Sequence, residues 1–101
     1  MNHAKELLNR AKELLNRAAA AGYTFEVGSE GEIDYRGPDA KKAWEAVIYL
    51  EEADVHFIAD GKVQGWALIS AYGLEDDEAI MDCSGSGPIY LIANAIGEEN
   101  Q

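Results

Sequence analysis

The sequence predicts an α+β fold. We expect a two-layer domain in which an antiparallel sheet of about five strands carries two amphipathic helices on one face. The expected order is α-β-β-α-β-β-β, followed by a last segment that reads as helix or strand. Three observations lead there. Apolar residues recur at helical spacing over residues 3–21 and again after Pro38. Elsewhere apolar and polar residues alternate, as half-buried strands require. The alternating runs are joined by tight turns, which pair strands antiparallel. A chain of 101 residues that is 48% apolar and 27% charged has enough apolar surface for one core, so residues 1–101 read as one domain.

The first element opens on a seven-residue repeat. Ala4-Lys5-Glu6-Leu7-Leu8-Asn9-Arg10 recurs unchanged as Ala11-Lys12-Glu13-Leu14-Leu15-Asn16-Arg17. Positions 4, 7, 8, 11, 14, 15 and 18 form a wide apolar stripe. Glu6 with Arg10 and Glu13 with Arg17 are i,i+4 pairs in the favourable order. Asn2 caps the start and Gly22 the end. Two heptads fall short of the three or four a coiled coil asks for, and the stripe suits a helix covering a sheet.

Tyr23-Thr24-Phe25-Glu26-Val27 and Glu32-Ile33-Asp34-Tyr35-Arg36 alternate on either side of Gly28-Ser29-Glu30-Gly31, a hairpin. Gly37-Pro38-Asp39 starts a second helix whose stripe is Ala40, Ala43, Trp44, Val47 and Ile48. It is expected to run to Ala53, leaving Glu51 and Glu52 at its unfavourable end. Val55 to Ala59 and Lys62 to Tyr72 are strands joined by Asp60-Gly61, a strong hairpin signal. Gly65 marks a bulge or a close approach. Residues 79–83 are a fifth strand. Residues 89–96 suit a helix with Ile89, Ile92, Ala93 and Ile96 on one face, or equally a buried strand.

Charge is the strongest compositional signal. Nineteen acidic against eight basic residues give a net charge of −11. Residues 1–21 hold four bases and two acids, net +2, whereas residues 22–101 hold four bases and seventeen acids, net −13. That sign excludes direct, electrostatically driven binding to nucleic acid or anionic lipid. It favours a cationic partner and salt-sensitive association; the plainer alternative is solubility alone. No stretch has the length of a membrane span or the pattern of a secretory signal. One cysteine, Cys83, cannot close an internal disulfide and fits a reducing cytoplasm.

The candidate chemistry is thin. Glu75-Asp76-Asp77-Glu78 is contiguous and lacks the alternating acids and central Gly of a calcium loop, so it reads as a charged surface. Pro38-Asp39 with Asp60-Gly61-Lys62 loosely matches a nuclease string, but its acids sit at a helix start and a solvent-facing turn. Ser84-Gly85-Ser86-Gly87-Pro88 has neither a phosphate-loop nor a nucleophile-elbow pattern and reads as a connector. Nothing brings Cys83 to His56 as nucleophile and base, and two histidines with one cysteine make a poor zinc set. No metal and no cofactor is expected. Trp44 and Trp66 read as core anchors. Tyr49 falls off the stripe of its helix and suits an interface.

No motif is specific to one family. In composition alone the chain resembles small acidic inhibitors that occupy a basic nucleic-acid-binding surface: DNA-mimicking anti-restriction and anti-CRISPR proteins of phages, and immunity proteins that neutralise nucleases. That likeness implies a cytoplasmic, non-enzymatic protein acting by charge mimicry on a basic, nucleic-acid-binding protein. The expected contact residues are Glu51, Glu52, Asp54, Glu75, Asp76, Asp77, Glu78, Asp82 and Tyr49, with Glu45 beside them. The alternative is an oligomeric module that pairs Leu7, Leu8, Leu14 and Leu15 with another copy or another protein.

Overall fold

The computed structural model describes residues 3–70 and 80–99. Its elements are α1 (His3–Ala20), β1 (Thr24–Ser29), β2 (Glu32–Gly37), α2 (Ala40–Leu50), β3 (Glu52–Ala59), β4 (Lys62–Ser70), β5 (Ile80–Cys83) and α3 (Pro88–Glu99). The strands form one antiparallel sheet in the order β2-β1-β3-β4-β5. Both hairpin turns, Glu30-Gly31 and Asp60-Gly61, place two residues at positive φ. That geometry matches the right-handed twist of the strands it joins.

Local chemistry sets the helix ends. The Tyr23 N–H donates to the Ala18 carbonyl and the Gly22 N–H to the Ala19 carbonyl, both at 3.0 Å, with Gly22 at φ 95°. This pair of bonds is the glycine C-cap motif that satisfies the last carbonyls of α1. Asp39 caps α2: its Oδ1 accepts from the N–H of Lys41 at 2.8 Å and of Lys42 at 3.2 Å. The Asp39 N–H donates in turn to the Tyr35 hydroxyl at 3.0 Å, tying the cap to β2.

The helix α2 stops at Leu50, three residues before the expected Ala53. The next stripe position is Glu51, so no apolar side chain rewards another turn. Glu51 takes φ 72° as the C-cap, its N–H donating to the Val47 and Ile48 carbonyls. Glu52 is therefore the first residue of β3 and not a helix end. Ala53, Val55 and Phe57 gain burial by entering the sheet. Within α2 the buried side is Ala43, Ala46 and Val47. Ile48, expected on the stripe, is 44% exposed, and Trp44 is half-buried.

One face of the sheet makes the core. Phe25 and Val27 of β1, Ala53, Val55 and Phe57 of β3, and Ala67 and Ile69 of β4 are buried there. Phe25 and Phe57 are register partners and meet edge to face, ring centroids 5.7 Å apart, a favourable aromatic geometry. Three helices, not two, cover this face. The open 89–96 segment is helical, burying Ile89 and Ile96 with Ile92 and Ala93 packed beside them. Helix α1 packs on α2 and α3 and buries Ala11, Leu14, Leu15 and Ala18.

Of the two roles expected of Gly65, close approach is the one it fills, and the bulge falls on its neighbour. Phe57 pairs with Gly65 and Ile58 with Val63, so Gln64 is the extra residue of a bulge. A Cβ on Gly65 would stand 2.5 Å from Ile89 Cγ1. The glycine is what lets α3 lie directly on β4.

Candidate interaction face

The other sheet face carries no helix among the described residues. Its composition follows from the alternation that builds the core. Where Ala53, Val55 and Phe57 point inward, Glu52, Asp54 and His56 point outward and are exposed. On β4 the inward residues are Gly65, Ala67 and Ile69, which turns Trp66 and Leu68 out.

The register arranges this face in rows. Arg36, Glu26, His56 and Trp66 form one row across β2, β1, β3 and β4. Ile33, Gly28, Asp54, Leu68 and Asp82 form the next, reaching β5. Glu52 lies beyond Asp54, opposite Ser70; Ile58 lies beyond His56, opposite Val63. Over β3, β4 and β5 the acids Glu52, Asp54 and Asp82 thus lie toward one end, with Leu68 between Asp54 and Asp82, and Ile58, Val63 and Trp66 lie toward the β3–β4 hairpin; Ile33 stands apart at the β2 edge of the Asp54 row, and Glu26 in the Trp66 row. Glu52 and Asp54 are roughly 7 Å apart along β3, and Asp54 and Asp82 about 10 Å apart across β4, by ordinary sheet spacings.

Three apolar side chains here are well exposed: Val63 at 56%, Ile33 at 49% and Trp66 at 37%. Trp66 is therefore not the core anchor its size indicated. Both of its backbone polar groups bond to Ser84: its N–H donates to Ser84 Oγ at 2.8 Å, and its carbonyl accepts from the Ser84 N–H at 3.0 Å. The first residue of the 84–88 loop thus prolongs the β5 pairing and fixes the tryptophan in place.

Among the described residues the one ion pair on this face joins Arg36 Nε to Glu26 Oε2 at 2.9 Å across β1 and β2. Glu52, Asp54 and Asp82 have no basic partner among them. Asp82 Oδ1 accepts from the Cys83 N–H at 2.9 Å. Cys83 points to the core side. Burial, and then the negative charge of Asp82, push its thiol pKa above the usual value. A thiol held neutral is a poor nucleophile.

Two shallow depressions mark the face. One of about 200 Å³ lies among Glu26, Ile33, Asp54 and His56, below the size of typical ligand pockets. The other, about 490 Å³ and open to solvent, lies among Leu50, Glu52, Asp54 and Leu68. No group of three His, Cys, Asp or Glu side chains suited to a metal ion occurs among the described residues. No helix among them is long and apolar enough to cross a membrane.

The expected contact residues divide between surfaces. Glu52, Asp54 and Asp82 share the open face. Glu51 sits at the α2–β3 corner. Tyr49, 77% exposed, and Glu45 lie on α2, in the helical layer. Glu75, Asp76, Asp77 and Glu78 lie outside the described residues. Leu14 and Leu15, offered to an oligomer, are core residues at 0% and 1% exposure. They cannot pair with another chain while α1 covers its own sheet. The side chains of Leu7 and Leu8 lie outside those described.

Sequence reasoning missed Ile33, Val63, Trp66 and Leu68 as surface residues. The available signal was parity: once Glu52, Asp54 and His56 are read as outward, antiparallel pairing makes their β4 partners outward too.

Comparison of the chain with family models, with curated proteins and with solved structures finds no match. Its class is defined by architecture: a two-layer α+β domain with one sheet face covered by helices and the other, among the described residues, free of them.

Proposed function

We propose that this protein is a non-enzymatic inhibitor, acting in the cytoplasm, that binds a basic, nucleic-acid-binding protein by charge mimicry. One observation carries the reading. Among the described residues, Glu52, Asp54 and Asp82 share a helix-free sheet face with the exposed Trp66 and Val63 and have no basic partners there. On such a face carboxylates stand in for phosphates against Lys and Arg of the partner. The excess of seventeen acids over four bases in residues 22–101 supplies the long-range attraction.

The test has two parts. Affinity capture from the source cell, eluted in salt steps, should release a basic nucleic-acid-binding protein between low and moderate salt, and DNA or RNA should compete for it. Reversing Glu52, Asp54 and Asp82 to Lys should then slow association and flatten its salt dependence, as should reversing three of the acids at 75–78. A partner retained regardless of salt, or inhibition unchanged by both reversals, refutes charge mimicry and leaves the acidity as a solubility device.

A further inference from the structure

We infer that the open sheet face is the docking site for a cationic amphipathic helix of the partner protein, laid over β3 and β4 so that the sheet becomes the middle of three layers. The inference rests on the proposed binding of a basic partner and names where that partner sits and what it presents.

Charge complementarity selects the occupant. Among the described residues the face carries Glu26, Glu52, Asp54 and Asp82 against Arg36 alone. A second copy of this chain would bring the same face, acid against acid. Nucleic acid and anionic lipid are repelled by the same sign. A purely polar cationic segment over β3 and β4 would leave Trp66 and Val63 wet. The occupant needs Lys or Arg at the Glu52–Asp54–Asp82 end and apolar side chains at the Ile58–Val63–Trp66 end.

Geometry favours a helix over an added strand. The sheet edges are poor templates: β5 has four residues among those described, and β2 carries Glu32, Asp34 and Arg36, with Pro38 just beyond. A helix about 10–12 Å wide spans two to three strands spaced about 4.8 Å apart. The face offers that width over β1, β3 and β4. The eight residues of β3 extend about 26 Å, which a helix of roughly seventeen residues matches.

The probe is a synthetic peptide of about eighteen residues, made of Leu and Lys in helical period. Its control has the same composition in alternating, strand-like period. Titration calorimetry on the full chain should show binding of the helical peptide and at least about tenfold weaker binding of the control. Trp66→Ser and the pair Asp54→Lys with Asp82→Lys should each weaken the helical peptide about tenfold or more. Glu45→Lys with Tyr49→Ser, on α2, should change it by less than about twofold. If circular dichroism shows Trp66→Ser unfolded, Val63→Ser takes its place. Absence of binding, equal binding of the two peptides, or greater loss from the α2 pair than from the face variants overturns the proposal. A basic partner captured equally well by the unaltered chain and by the face variants also overturns it, while the charge-mimic reading stands. If no basic partner is captured but the helical peptide shows the expected losses, the charge-mimic reading alone fails.

Discussion

Replacing Gly65 by alanine tests how the helical layer is seated. The added Cβ would stand 2.5 Å from Ile89 Cγ1, 2.7 Å from Ile89 Cβ and 3.1 Å from Ser84 Oγ. Carbon atoms pack at about 3.5–4.0 Å, so α3 or β4 must move by about 1 Å. Ile89 is fully buried, and a close-packed core transmits that strain. Overpacking of this kind costs about 1–3 kcal/mol. Gly65 does not have positive φ, so alanine adds no backbone strain and recovers about 0.5–1 kcal/mol of chain entropy. The net expectation is a loss of about 1–2 kcal/mol, or roughly 5–15 °C in Tm for a domain of this size. Urea unfolding followed by circular dichroism reads it. Ile89→Ala alone should cost about 2–5 kcal/mol. In the double variant the new methyl group occupies part of the vacated space, so the two losses should fall short of additive by about 1 kcal/mol. Gly65→Ala within about 0.5 kcal/mol of the parent, or strict additivity, would refute the close approach of α3 as the reason for glycine.

Three further outcomes follow from the same structure. Leu15→Ala should cost about 2–5 kcal/mol in urea unfolding while sedimentation shows no change in oligomeric state; unchanged stability with dissociation of a larger species would restore the assembly reading of α1. Asp39→Ala removes two hydrogen bonds from the start of α2 and should cost about 1 kcal/mol, with Asp39→Asn close to neutral; equal losses in the two would show that the cap bonds are not the cause. Cys83 has its folded thiol pKa raised, first by burial and then by Asp82, so the folded state holds its proton to higher pH than the unfolded chain. Its contribution to stability is full below the unfolded thiol pKa and is lost as pH rises through the folded one. Alkylation near pH 8 should be slower in the folded than in the urea-unfolded chain and faster in Asp82→Asn; equal rates in folded and unfolded chain would contradict the shift.

Much of the architecture is legible locally, and the failures share a cause. The α1 stripe and the turns are short-range patterns: Ala11, Leu14, Leu15 and Ala18 are buried as expected, Asp60-Gly61 turns as expected, and the first turn tightens to Glu30-Gly31 because Gly28 and Ser29 pair within β1. The end of α2 was misplaced because two signals overlap there. Ala53 also reads as helix, yet the apolar stripe ends at Ile48 and the helix at Leu50, while Glu52, Asp54 and His56 already alternate with the core residues of β3. Residues 89–96 are apolar enough for either element, and what decides is tertiary: Ile89 and Ile96 enter a core whose other walls lie far away in sequence. Trp66 was misread for the same reason. Its neighbour Gly65 is small because Ile89 of α3 occupies the space above it, and nothing near Trp66 in the chain says so. Of the proposed contact residues, the acids of β3 and β5 were identifiable by charge. Their apolar companions were not, because charge gives no sign of sheet parity.

That parity also bears on whether the acidity means anything beyond solubility. Carboxylates on an exposed face are what solubility alone would select, so Glu52, Asp54 and Asp82 do not discriminate between the readings. Trp66, Val63 and Ile33 do. Exposed apolar side chains on one face work against solubility, and neighbouring ones, as Trp66 and Val63 are on β4, suit a contact surface. A shift of one residue in β4 would turn Trp66 and Leu68 inward and the small residues out, but Ile89 needs Gly65 beneath it, and the bulge at Gln64 sets the register that supplies it. The packing that seats α3 thus places a tryptophan on the acidic face and holds it there through Ser84. A sheet that only had to be soluble would gain by having serine or threonine at position 66. For that reason Trp66, more than any carboxylate, is the residue whose replacement separates a binding face from a merely charged one.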